Sequence, residues 1–206
     1  MNSRFNEDLS NEEALGRFLD TIYPTLFDGF KIQRIVDVNL QHRGVDLVIS
    51  KDGVDYYIDE KAQLDYLNFK LPTFAFEISY IKDNIEHLGW LFDKSKETNS
   101  YFLINGIYLN DPKDINKGFE KCSIISVNRC KLIHLLESKK LDLSNITRIN
   151  NIIRSGIEEK SIEICELNPR TQGRFYFSKS NKSEEPINLV LYIDFLIESK
   201  VAKRIY

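Results

Sequence analysis

GVDLVISKDGVDYYIDEKAQ, residues 44–63, holds two runs of β-branched, aliphatic and aromatic residues on either side of Asp52-Gly53. Asp-Gly is a pair that a two-residue type I′ hairpin favours, because both central positions need φ > 0. With those two residues as the loop, Lys51 faces Val54, and the register carried down the hairpin sets Asp46 opposite Asp59. Side chains alternate along a strand, so Asp59, Lys61 and Gln63 share one face while Ile58, Glu60 and Ala62 take the other. Val45, Leu47 and Ile49 fall on the opposite side of their strand from Asp46, where a core face belongs.

The rest of the chain reads as an α/β protein around this hairpin. SNEE at residues 10–13 matches a capping box, and Leu15, Phe18, Leu19, Ile22 and Tyr23 follow at helical spacing up to Pro24. Residues 30–40 (FKIQRIVDVNL) are expected as a strand that leads through a polar QHRG link into the hairpin. FAFEISY (74–80) is a further strand, with Phe74, Phe76, Ile78 and Tyr80 on one face and Glu77 on the other. SYFLINGIYL (100–109) is apolar enough for a central strand in which Gly106 marks a bulge or an end, and HLGWLFDKSKETN (87–99) between them is read as a turn-containing connection.

CSIISVN (122–128) reads as a strand, RCKLIHLLESKKL and LSNITRINNIIRSG as helices, and the segment after about residue 160 as short strands followed by a mixed strand and helix. SKSNKSEEP (178–186) is the one linker-like segment. The expected organisation is a core over residues 1–158 with a C-terminal α/β extension, 159–206, packed on it.

Composition narrows the function classes. The 206 residues are 42% hydrophobic and 29% charged, within the range of globular proteins. No apolar run approaches the roughly 20 residues needed to cross a bilayer, and MNSRFNEDLS lacks a basic-then-apolar leader pattern, so a cytoplasmic protein with no membrane partner is expected. Cys122, Cys130 and Cys165 show no CxxC spacing, which argues against a disulfide framework or zinc knuckle and for buried thiols. His87 and His134 likewise lack zinc-ligand spacing. A net charge of −3 excludes a uniformly basic nucleic-acid binder, so any phosphate affinity needs a local patch. Arg170, Arg174, Lys179, Lys182, Lys200, Lys203 and Arg204 make the C-terminal part locally basic.

Two carboxylates opposed across a ladder repel one another unless something offsets the charge. A hard divalent cation does so, since Mg²⁺ takes one or two carboxylates plus waters and substrate phosphate. Held by Asp46 and Asp59 beside Lys61, such an ion suits phosphodiester cleavage, with Lys61 orienting the attacking water or stabilising developing negative charge.

The aspartate of GVDLVI, the hairpin, and Asp-x-Lys in DEK together resemble the PD-(D/E)XK, or restriction-endonuclease-like, nuclease superfamily. The resemblance covers about the first half of the chain. It implies a restriction-endonuclease-like mixed sheet flanked by helices: a first helix, the acidic hairpin, then a helix and a further strand. It also implies Mg²⁺, for which Mn²⁺ can substitute, and a nucleic-acid substrate, DNA above all; a homodimer is compatible with it. Residue by residue, Asp46 matches the first metal-binding acid, Asp59 the second and Lys61 the lysine, while Val45 stands where many members have proline and Glu60 faces away from the metal. Gln63 matches a glutamine that some members carry shortly after the lysine, and Glu13 stands where some have a helpful first-helix acid.

Glu77 joins the acidic face as a third metal ligand if its strand neighbours the hairpin. His42, facing Gln63 in this register, and Arg43 lie close enough to touch phosphate. The rival readings are a catalytically inactive nuclease-fold module for nucleic-acid binding or assembly, and a metal-assisted hydrolase of small phosphoesters.

Overall fold

Asp52 at φ 53° and Gly53 at φ 78° form the left-handed pair that a type I′ turn requires. The strands they join pair in the expected register, Lys51 with Val54 through to Leu47 with Ile58. The computed structural model describes residues 2–156, 161–178 and 184–206, with side chains from residue 9 onward.

In chain order the elements are α1 (Asn2–Leu26), β1 (Lys31–Arg34), α2 (Val38–His42), β2 (Leu47–Lys51), β3 (Val54–Ala62), β4 (Thr73–Lys82), β5 (Ile85–Leu88), β6 (Ser100–Leu109), β7 (Phe119–Asn128), α3 (Arg129–Ser138), α4 (Leu143–Gly156), β8 (Ser161–Ile162), β9 (Gly173–Phe177), β10 (Ile187–Tyr192), α5 (Ile193–Glu198) and β11 (Ala202–Arg204). Short 3-10 turns occur at Leu64–Tyr66 and Ile115–Lys117. The protein is mixed α/β, with two sheets flanked by helices. One sheet is ordered β1-β2-β3-β6-β7-β11 and the other β5-β4-β10-β9-β8.

The chain divides into two units, residues 1–71, 98–126 and 204–206 forming the first and 72–97 and 127–203 the second. The boundary expected at 158/159 therefore falls inside the second unit. β4 is the reason: it pairs with β10, far along the chain, from Thr73–Tyr192 to Ser79–Ile187, and so ties an early segment to a late one.

In the first unit, β3 is the hub. It runs antiparallel to β2 and parallel to β6, with Asp59 beside Tyr101 and Lys61 beside Leu103. A parallel pair needs a long crossover. Here residues 63–99 supply it with a 3-10 turn, β4 and β5, so the helix that the family resemblance implies after the hairpin is not present in that segment. α1 covers one face of the sheet, where Leu15, Leu19, Ile22 and Tyr23 pack with Leu47, Ile49, Ile58, Phe102 and Ile104. Val45, ahead of β2, is also buried but is not part of that cluster, because the regular strand begins only at Leu47. Gly106, at φ 55°, is a bulge within β6: Phe102 and Ile104 before it and Ile107 and Leu109 after it enter the same core cluster, so the alternation reverses there.

Three local expectations need correction. α1 begins at Asn2, so Ser10 and Glu13 lie inside the helix rather than at its start; no glycine or proline upstream stops it. Pro24 lies in its last turn, where it forgoes only the bond to the Asp20 carbonyl. The strand expected over 30–40 ends at Arg34, because Asp37 caps α2, its carboxylate accepting from the amides of Asn39 at 2.8 Å and Leu40 at 3.1 Å. Of the three free thiols only Cys122 is buried, which pushes its pKa up to about 12, whereas Cys130 and Cys165 are exposed.

In the second unit, Phe74, Phe76 and Ile78 of β4 are buried as the alternation predicts, together with Phe175 and Phe177 of β9 and Leu189 and Leu191 of β10. Arg154 of α4 donates to Glu86 at 3.0 Å and to Ser79 at 2.7 Å, and Ser79 donates to Asn150 at 2.7 Å. Arg170, Arg174, Lys200 and Lys203 belong to this unit and Arg204 to the first, while Lys179 and Lys182 lie outside the described residues.

Gly53→Ala forces a Cβ into a left-handed turn position and should cost about 1–2 kcal/mol. Urea denaturation of the two proteins measures this, and an unchanged midpoint would contradict the turn assignment.

Candidate functional site

The phase of β3 sorts its charges onto two faces. Glu60, on the α1 side, accepts a hydrogen bond from the Tyr23 hydroxyl and an ion pair from Arg34 at 2.5 Å. Arg34 also donates through Nε to both oxygens of Asp20 at 2.9 Å. Burial, reinforced by the Glu60 carboxylate, holds the Tyr23 phenol well above its usual pKa, so it stays a donor. Glu60 thus points away from Asp59 and Lys61, as the alternation requires. The Tyr23–Glu60–Arg34–Asp20 network is not apparent in the sequence, because its members come from separate elements with no spacing signature.

On the opposite face Asp59 is 2% exposed and accepts from the Lys61 ammonium at 2.5 Å. Lys61 keeps about a third of its side chain in solvent (30%), so the ion pair has one buried end and one accessible end. Tyr101 and Leu103, their partners on β6, are fully buried.

Asp46 follows the expected register only up to its own position. The last regular pair is Leu47–Ile58, and the Asp46 amide, which a continued ladder would turn away from β3, instead donates to the Ile58 carbonyl at 2.9 Å. The deviation turns its carboxylate onto β3, where Oδ2 accepts from the Glu60 amide at 2.8 Å. Its carbonyl accepts from the Ile35 amide at 2.8 Å. Two residues earlier in the chain, the Gly44 carbonyl accepts from the Thr98 hydroxyl at 2.7 Å, which anchors the approach to Asp46. Asp46 is therefore held at its amide, its carbonyl and one carboxylate oxygen.

Burial and the neighbouring Asp59 carboxylate raise the Asp46 pKa from 3.8 to about 7, with Lys61 and the Glu60 amide opposing the rise. The two bonds to Asp46 Oδ2 and Asp59 Oδ1 engage one oxygen of each acid. Two neighbouring carboxylates, Asp59 buried and Asp46 half-buried, are the kind of oxygen donors that a hard cation takes together with water and phosphate oxygens. No cluster of three or more His, Cys, Asp or Glu suited to a metal ion is found among the described residues.

The other expected members divide. Gln63 continues β3, its amide donating to the Ile104 carbonyl at 3.0 Å, and its side chain is half-buried. His42 does not face it: His42 ends α2, outside the β2–β3 ladder, and Arg43 caps that helix. Glu77 lies on β4, whose neighbours are β10 and β5, so the hairpin adjacency that would have made it a third ligand is absent. Glu13 is exposed, with an i,i+4 ion pair to Arg17 at 3.9 Å.

Asn105 adds a residue that the sequence reading missed. It follows Ile104 in β6 and so falls on the Lys61–Leu103 face, fully buried, its Nδ2 donating to the Leu71 carbonyl at 3.0 Å. Its Oδ1 has no hydrogen-bond partner among the described residues. The available signal was a lone amide inside the otherwise apolar run SYFLINGIYL. An open cleft of about 410 Å³ in the same unit, between Phe18 of α1 and the β6–β7 turn at Asn116, includes none of these residues.

Comparison with family models, with curated proteins and with solved structures finds no match.

A carboxyl group whose pKa is raised on folding keeps its proton longer in the native state than in the unfolded chain. Its contribution to stability therefore falls as pH rises from about 3.8 toward 7. In EDTA, Asp46→Asn should be more stable than the parent at pH 8, with a clearly smaller advantage at pH 5, by urea denaturation. An advantage independent of pH would contradict the raised proton affinity.

Proposed function

We propose that the protein is a Mg²⁺-dependent phosphodiesterase that cuts nucleic acid, DNA above all, using a site of PD-(D/E)XK type on a restriction-endonuclease-like sheet. One observation carries the reading: the Asp46 carboxylate is held against β3 by the Glu60 amide, beside Asp59, whose own carboxylate is bonded to the Lys61 ammonium. Like charges set side by side, one buried and one half-buried, are costly, and a bound cation would offset that cost.

Asp46 and Asp59 would hold the ion, which when bound polarises a phosphodiester and makes a bound water more acidic. The chain's own groups do the rest. The Glu60 amide fixes the direction of the Asp46 carboxylate. Lys61, anchored on Asp59 with part of its side chain in solvent, has an ammonium near the place where negative charge develops on the phosphate. Gln63 extends the same face with a half-buried amide for substrate oxygens or bases.

A second reading, a nuclease-like module that binds without cutting, draws on the Lys61–Asp59 contact, which neutralises one acid from within the chain.

Supercoiled plasmid and a single-stranded oligonucleotide with Mg²⁺ or Mn²⁺ separate the two. Wild type should cleave, Asp59→Ala should not, and Lys61→Ala should be slower by about 10²-fold or more. Absence of cleavage by wild type, together with Mn²⁺ uptake that does not depend on Asp46, would remove the catalytic reading.

A further inference from the structure

Residues 64–69, in the loop that leaves β3 just beyond Gln63, carry four large apolar side chains, and these divide evenly. Leu64 and Leu67 pack against the core cluster of the first unit. Tyr66 and Phe69 stay in solvent, 50% and 59% exposed. Aromatic rings left in water on a slack loop would have nothing to explain, but this loop is fastened along its length. The Tyr66 amide donates to the Gln63 carbonyl at 3.1 Å and the Phe69 amide to the Tyr66 carbonyl at 3.3 Å. Between them Asn68, in the left-handed region at φ 60°, makes three bonds: its amide to the Ile107 carbonyl at 2.7 Å, its Nδ2 to the Pro112 carbonyl at 3.1 Å, and its Oδ1 from the Leu109 amide at 3.0 Å.

A positioned cation follows. Lys70 donates to the Ser123 hydroxyl at 2.9 Å. Its stem lies against Gly106, where a Cβ would come within 3.1 Å of Lys70 Cγ, so the bulge glycine makes room for it. Asp65 is the one acid in the loop, and it is exposed. From Lys61 the chain thus presents an amide, a ring, a second ring and a second cation in order. That interleaving matches what single-stranded nucleic acid requires: π-faces on which bases stack without regard to sequence, and cations for the phosphates between them. Bases in a duplex are already stacked on one another, so exposed rings of this kind favour unpaired strands.

We infer that Tyr66 and Phe69 form a stacking platform for unpaired nucleotides, continuous with Lys61 and Gln63, and that the substrate or product strand is single-stranded where it crosses this loop. The inference rests on the nucleic-acid reading of the neighbouring acids, but its test does not require cleavage.

Fluorescence anisotropy of the full chain in EDTA, with a fluorescein-labelled 20-nucleotide DNA strand and with its blunt duplex, reads the platform directly. Wild type should bind the single strand. Tyr66→Ala with Phe69→Ala should weaken that binding about tenfold or more, with a clearly smaller effect on the duplex. The ring-preserving pair, Tyr66→Phe with Phe69→Trp, should retain it, which separates lost stacking from a lost fold.

No binding by wild type, unchanged binding by the alanine pair, or an equal loss on strand and duplex would overturn the inference. So would a wild-type dimer in sedimentation that the alanine pair dissociates while strand binding persists, since the rings would then serve a second copy of the chain. Strand binding that depends on the rings, with no cleavage by wild type in Mg²⁺, would leave the platform standing and remove the catalytic reading. Cleavage by wild type with ring-independent binding would do the reverse.

Discussion

One residue of slip in the β2–β3 pairing would exchange the two faces of β3, sending Asp59 and Lys61 onto α1 and Glu60 to the opposite side. The Asp52-Gly53 turn is what forbids that slip, since a two-residue type I′ loop admits a single register. The apolar partners reinforce it: Leu47, Ile49 and Ile58 reach the α1 core only in this phase. β6 then copies the phase by parallel pairing, so that Phe102 joins Glu60 on one face and Tyr101 and Leu103 join Asp59 and Lys61 on the other. A single turn thus governs the placement of charges on two strands.

The two charge sets of β3 are satisfied in different ways. Glu60 is matched by Arg34 and the Tyr23 hydroxyl, a network whose members come from α1, β1 and β3 and which ties the helix to the hairpin. Such a buried pair contributes little net stability, because desolvation offsets most of the attraction, but it punishes a misplaced helix or strand. Asp59 and Asp46 are matched less well. Lys61 serves Asp59 and the Glu60 amide serves Asp46, while burial together with the Asp59 charge raises the proton affinity of Asp46.

Much of this was legible in the sequence because local signals carried it. The Asp-Gly turn, the alternation in VDYYIDEKAQ and the apolar pair Leu47 and Ile49 each act over a few residues, and each reads directly as geometry. What was not legible depends on distant partners. Nothing near Glu77 indicates that its strand pairs with β10 rather than with the hairpin, and nothing near residue 158 reveals that the chain has already entered the second unit. The helix over Val38–His42 was hidden by its β-branched surroundings, with Asp37 as its only signal. The departure at Asp46 was hidden for another reason: the facing-pair rule assumes an unbroken ladder, and the ladder ends one residue too soon.

That departure bears on what the acids are for. In a strictly continued ladder Asp46 would be one more cross-strand residue, and its charge would be a defect of packing. Instead its amide shifts to Ile58, its carbonyl takes the Ile35 amide, its carboxylate takes the Glu60 amide, and Thr98 anchors the backbone ahead of it through Gly44. Four contacts from three other segments of chain hold one carboxylate in a position that raises its own pKa. Stability alone would favour an asparagine there, which keeps the amide contact without the repulsion. On the proposed reading, an arrangement that constrains an unfavourable charge serves as preorganisation for a ligand that needs two acids at once rather than as a means of holding the sheet together.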